Sequence, residues 1–108
     1  DDDKITELMI RAAREGYQTV METLLGTNEE KLNLAGSDGR TPISIAAQYG
    51  HDELVKRILD VKNVELERAD QVGRTPMSYA AQYGRNVVLE LLLRHEGNAN
   101  SLDNVGRS

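Results

Sequence analysis

At 108 residues and a formal charge of -5, with no cysteine and two histidines, the chain has room for one small domain that neither a disulfide framework nor a cysteine-based zinc site can staple. The acidic balance disfavours nonspecific nucleic-acid binding, which asks for a basic face. No apolar run approaches the roughly 20 residues of a membrane span and no signal-peptide pattern opens the chain, so the expectation is a soluble intracellular monomer, cytoplasmic or nuclear, without nucleic-acid or membrane partners.

The first four residues, DDDK, read either as the remnant of a cleavable tag or as a native acidic linker, and are set aside from the fold. The stretch TELMIRAAREGY follows, with Ala12, Ala13 and Gly16 in a pattern that returns 34 residues later as Ala46, Ala47 and Gly50. Behind it lies a loose apolar stripe of Val20, Met21, Leu24 and Leu25.

Residues 39–50 read GRTPISIAAQYG and residues 73–84 read GRTPMSYAAQYG, again 34 apart, while VGR recurs at 72–74 and 105–107 with a step of 33. A period of this size signals stacked repeats. Within each unit, Thr41 or Thr75 suits an N-cap, and the following proline suits the first helical position, where its missing N–H costs nothing. Ile43, Ala46 and Ala47 share one helical face, and Gly50 supplies a left-handed stop.

A second helix is expected at once, capped by Asp52 or Asn86, with stripes of Leu54, Val55, Ile58 and Leu59, and of Val88, Leu89, Leu92 and Leu93. Helices this short are unstable alone, so each pair must bury its stripes on itself and on the next pair, with alanine at the close contacts. The polar stretches between pairs, such as NVELERADQVGR, carry the glycine and turn residues of an extended excursion closed by a tight turn.

GRTPISIAAQYGHDELVKRIL and GRTPMSYAAQYGRNVVLELLL resemble the ankyrin repeat, whose pattern runs Gly-x-Thr-Pro-Leu-His-x-Ala-Ala, then Gly-His, then an aliphatic outer helix. The resemblance implies an all-α solenoid of stacked helix-turn-helix units joined by hairpin-like loops. Its units would be a degenerate first repeat at 5–36, repeats at 37–69 and 70–102, and the start of a further repeat at 103–108, suggesting truncation inside a longer array. Asp70 and Asp103 match the acidic residue that opens the hairpin, whereas Gly36 departs from it. Ser44 and Ser78 stand where the family has His, which puts in doubt the hydrogen bond from that side chain to the Thr region. The usual Gly-Ala-Asp stretch is altered to DVKNVE and HEGNAN. Serine at that position, with near-identical successive units, is similar to long ankyrin arrays of fungal multidomain proteins.

The family binds proteins through a concave surface of hairpin tips and inner helices. Carried over by position, that surface holds Arg14 and Glu15, Gln48 and Tyr49, Gln82 and Tyr83, with the tips Ser37 and Asp38, Gln71 and Val72, Asn104 and Val105, each tip followed by Arg40, Arg74 or Arg107. The expected partner-binding strip is Arg40, Gln48, Tyr49, Gln71, Arg74, Gln82 and Tyr83, because Arg and Tyr dominate interface energies. The plainer alternative is that duplication copied these residues, that Tyr49 and Tyr83 stack on each other, and that Arg40 and Arg74 pair with acids of the next hairpin.

No phosphate-binding loop or nucleophile elbow is present. His51 stands at the family's structural Gly-His position, His95 falls in the last turn of its helix, and two isolated histidines do not make a metal site. The expectation is therefore a protein-interaction module with no catalytic residues, cofactor or metal. The alternatives are a structural or regulatory spacer packing on a neighbouring domain of a larger protein, and an engineered binder on the same scaffold.

Overall fold

Two Thr-Pro starts and two left-handed glycines set the length of the central helices. Thr41 is extended and its hydroxyl accepts from the Ser44 amide, with Pro42 opening α3 (Pro42–Tyr49); Gly50 ends it at φ 73°. Thr75 and Pro76 repeat the start for α5 (Pro76–Gln82), where Thr75 and Ser78 satisfy each other in a reciprocal capping box. The structure, a computed structural model, describes residues 2–104. The remaining helices are α1 (Asp2–Glu15), α2 (Gln18–Asn28), α4 (Asp52–Leu59) and α6 (Asn86–Asn104), with one 3-10 turn, Glu29–Lys31, after α2. Among the described residues there is no strand.

The inner helices α1, α3 and α5 stack in a row, the outer helices α2, α4 and α6 stack beside them, and each inner helix also packs on its own outer helix. Between the rows lies one core. It takes Met9, Ala12 and Ala13 from α1, Ile43, Ala46 and Ala47 from α3, and Leu54, Val55 and Ile58 from α4, with Val88 and Leu92 from α6. Loops cross-link the stack as well: the Asn33 side chain donates to the Asn63 carbonyl at 2.8 Å and accepts from the Glu65 amide at 2.8 Å.

The seam between successive units is tied at the same place twice. His51 Nε2 lies 2.8 Å from the Arg14 carbonyl, and since a carbonyl can only accept, Nε2 carries the proton. Arg85 Nε donates to the Gln48 carbonyl at 2.9 Å. Each side chain thus satisfies one of the carbonyls that the end of a helix leaves unpaired. Glycine is required beside each tie. A Cβ on Gly16 would stand 2.8 Å from the His51 ring, and one on Gly50 would stand 2.9 Å from Arg85 Cδ.

Several sequence expectations need correction. Asp52 is the first residue of α4 and His51 its cap position, without a side-chain capping bond; Asn86 likewise is already helical. The serines do not lose the bond to the Thr region: Ser44 and Ser78 hydroxyls each donate to the threonine carbonyl at 2.8 Å. His95 lies within α6 and not in its last turn, since the helix runs through Gly97 to Asn104. Asp103 and Asn104, read as opening a further hairpin, are therefore helical; Val105 and Arg107 lie outside the described residues.

Ala47 and Ala81, equivalent by sequence, have opposite surroundings. Ala47 is fully buried where α3 meets α5, whereas Ala81 is exposed because no described element stacks on that side of α5. Leu93 and Val20, read as stripe residues, are exposed for the same reason at the two ends of the stack. Ala47→Leu is expected to overpack the seam and lower stability by about 1–3 kcal/mol. Ala81→Leu should change it by no more than about 0.5 kcal/mol. Urea denaturation followed by circular dichroism measures both; equal losses would contradict the placement of the seam.

Candidate functional site

The two hairpins share one backbone design and differ in which residue holds it. In the first, the Gly39 amide donates to the Gly36 carbonyl at 3.0 Å and the Gly36 amide to the Arg40 carbonyl at 2.9 Å; the same pair of bonds joins Asp70, Gly73 and Arg74 in the second. Gly39 and Gly73 close the turns at φ 85° and 88°, a region that favours glycine. The tips sit close together. A Cβ on Gly39 would come within 2.9 Å of the Gln71 amide nitrogen, and Gln71 Nε2 donates to the Ser37 carbonyl at 3.0 Å.

An acid braces each hairpin from a different position. Asp70 accepts from the Val72 and Arg74 amides, both at 2.9 Å, from Arg74 Nε at 3.1 Å, and from the Tyr79 hydroxyl. In the first hairpin the equivalent residue is Gly36, and Asp38 takes over two residues later, accepting from the Arg40 amide at 3.1 Å and Arg40 Nε at 2.7 Å. Tyr79 accordingly has the apolar Ile45 as its counterpart, with no acid to meet. The Arg74 guanidinium lies 4.9 Å from the Tyr79 ring centroid, within cation–π range.

These contacts fix the charge states. The Tyr79 hydroxyl, then the Arg74 amide, hold the Asp70 carboxyl well below its usual 3.8 in spite of burial. Burial, followed by the bond to Asp70, pushes the Tyr79 hydroxyl up to about 12. At Asp38 burial acts upward but the hydrogen bonds from Arg40 outweigh it, leaving the carboxyl lowered.

Of the strip expected from sequence, Arg40, Gln48 and Tyr83 come together. Arg40 Nη1 donates to Gln48 Oε1 at 2.6 Å, and Gln48 Nε2 reaches the Tyr83 hydroxyl at 3.4 Å across the repeat boundary. Tyr49 and Tyr83 do not stack on each other. Tyr49 lies over His51 and Tyr83 over Tyr79, each with ring centroids 6.4 Å apart. Arg40 and Arg74 pair with acids of their own hairpins and not of the next one, because the tight turn folds each acid back onto its own arginine. Gln71 is spent on the neighbouring hairpin, and Gln82 is exposed. Both strip tyrosines keep an open face, at 41% and 44% exposure.

Asp38, Asp70 and Tyr79 were missed as a bracing set by the sequence reading. The signal was available: Tyr79 and Asp70 replace Ile45 and Gly36 in the same unit. Among the described residues no group of three or more His, Asp or Glu side chains is placed to hold a metal ion, and no helix is long and apolar enough to cross a membrane.

Three stacked helical pairs, Thr-Pro starts, glycine stops and braced hairpins define a class, the helical-repeat solenoids. The chain matches the family described as ankyrin repeats, in three copies, over residues 8–103, and it belongs to the ankyrin-repeat family. No curated protein matches its sequence. Ankyrin repeats are generally protein-interaction modules and typically not enzymes.

The bracing set makes stability depend on pH. Below about pH 3.8 the unfolded chain binds a proton that folded Asp70 resists, so stability falls as pH drops through that range. Between about pH 10 and about 12 the unfolded tyrosine loses a proton that folded Tyr79 keeps, so stability falls as pH rises. Tyr79→Phe should abolish the alkaline loss specific to this residue and reduce the acid one. Thermal melts of both proteins across pH would show it; parallel curves would contradict the assignment.

Proposed function

We propose that the chain binds a protein partner through its hairpin and inner-helix face, along a strip of Arg40, Gln48, Tyr49, Gln71, Arg74, Gln82 and Tyr83. The observation that carries this reading is the pair of half-exposed tyrosines, Tyr49 and Tyr83, held at the ends of stacked helices by ring stacking, with Tyr83 also held by the Gln48–Arg40 network. Rings fixed in place before contact lose little freedom on binding, and Tyr and Arg are the side chains that most often carry interface energy. Gln48 and Gln71 serve as spacers that keep this face in register across the repeats.

A second reading, a structural or regulatory spacer packed on a neighbouring domain, draws on the exposed apolar side chains Val87 and Leu93 of α6. The two readings separate by mutation. Tyr49→Ala with Tyr83→Ala removes the anchors without touching the core, and loss of about 2 kcal/mol or more of binding per anchor is expected. Charge reversal at Arg40 and Arg74 is a poorer probe, because it would set a new carboxylate against Asp38 or Asp70. Lys56→Glu with Arg57→Glu, on the outer helix α4, is the control. Proximity capture in the source cell, with melting curves matched, should lose the partner with the tyrosine variant and keep it with the control; the reverse would put the interface on the outer side.

A further inference from the structure

One groove on this face is lined by more cationic than acidic side chains although the chain is acidic. It runs between α1 and the first hairpin, where Arg11, Arg14 and Arg40 line its walls and Ile10 and Ile45 its floor. The acids along it are Glu7 and Asp38, and Asp38 is already committed to Arg40 through its side chain and amide. Arg40 is itself held, with Nε on Asp38 and Nη1 on Gln48, so it forms a fixed wall.

Arg11 and Arg14 differ from it. They stand one turn apart on α1, Arg11 exposed and Arg14 half-buried, and among the described residues neither guanidinium is engaged by a carboxylate. Residues three apart on a helix share a face, and a guanidinium offers two parallel N–H donors to a carboxylate. The apolar floor has its own structural cause: Gly36 lacks the Cβ that would stand 2.8 Å from Ile10 Cδ1, so the hairpin can close over Ile10. The glycine that departs from the acidic hairpin position therefore also removes a carboxylate from the groove wall.

Resting on the binding face proposed above, we infer that this groove takes an acidic segment of a partner protein, with carboxylates on Arg11 and Arg14 and an aliphatic side chain over Ile10. Charge complementarity argues for this occupant: the groove presents unpaired guanidinia on a chain whose formal charge is -5, so attraction to an anionic segment is local to it. A polyanion as long as a nucleic acid would also meet the acidic remainder of the surface.

The test uses the whole chain and a fluorescein-labelled peptide, Glu-Glu-Leu-Glu-Glu, with the Gln-Gln-Leu-Gln-Gln analogue and a single-stranded oligothymidine of similar length as comparators. Anisotropy titration should show the acidic peptide binding at least about tenfold more tightly than either comparator, with affinity falling as salt rises. Arg11→Glu with Arg14→Glu should weaken it by about tenfold or more, while Arg57→Glu with Arg94→Glu on the outer helices should not. Arg14→Gln, a milder change, keeps the result readable if the double reversal melts early. Amide resonances of Gly36 and Ser37 should shift on titration. Equal binding of the glutamine peptide, preference for the oligonucleotide, insensitivity to Arg11 and Arg14, or no binding would each overturn the inference. The partner-capture result with the Tyr49 and Tyr83 variants is measured separately, so the broader binding face can stand when this groove assignment falls.

Discussion

The structure depends on how one repeat finishes the helix of the repeat before it. An inner helix, whether as long as α1 or as short as α3, ends with carbonyls that it cannot pair itself, and the chain answers with a side chain from the next unit: His51 on Arg14, Arg85 on Gln48. Glycine is the counterpart of each tie. Gly16 and Gly50 turn the chain with positive φ and leave open the space into which the His51 ring and the Arg85 stem fit. The same residue therefore stops one helix and admits the next repeat, which links local backbone geometry directly to stacking. Helices this short gain little from their own hydrogen bonds; burial of Ala46, Ala47, Leu54 and Val55 between units supplies what they lack.

Stacking then determines what the exposed face can offer. Because the tie is repeated with the same geometry, Gln48 of one unit meets Tyr83 of the next, and Gln71 meets the preceding hairpin. Side chains that a loop would leave loose are held between repeats. The arginines expected to reach outward are partly consumed in this work, with Arg40 and Arg74 bracing their turns against Asp38 and Asp70. Along the groove beside the first hairpin, the guanidinia that no carboxylate engages among the described residues are those of Arg11 and Arg14 on α1, in the unit whose sequence departs furthest from the repeated pattern.

Much of this was legible in the sequence because it is periodic. Thr41 and Thr75, the prolines, Ala46, Ala47 and Gly50 each solve a local problem in a pattern that recurs every 34 residues, and the structure uses them as read. What the period cannot show is position in the stack: Ala47 and Ala81 have the same sequence neighbours, yet one is buried and the other exposed. The exchange of braces, Gly36 and Asp38 on one side against Asp70 and Val72 on the other, lies in the departures from the period and not in the period itself, and is read only when the tyrosine at 79 is matched to its acid. Asn33, which joins two loops, has Glu67 as its counterpart and so left no repeated trace. The tyrosines were legible as exposed groups but not in their pairing, because ring stacking within a repeat and across one are equally compatible with the spacing.

If the seams carry the stability, the middle repeat, with a neighbour on both sides, must be the last part to open. Native-state hydrogen exchange resolves this amide by amide. The account predicts the highest protection in α3 and α4, with lower opening free energies in α1, α2 and α5, each of which has a stacked unit on one side only among the described residues. Protection that is highest in α1 or in α6, or a middle repeat that exchanges first, would mean that individual helices are stable apart from their seams and would contradict it.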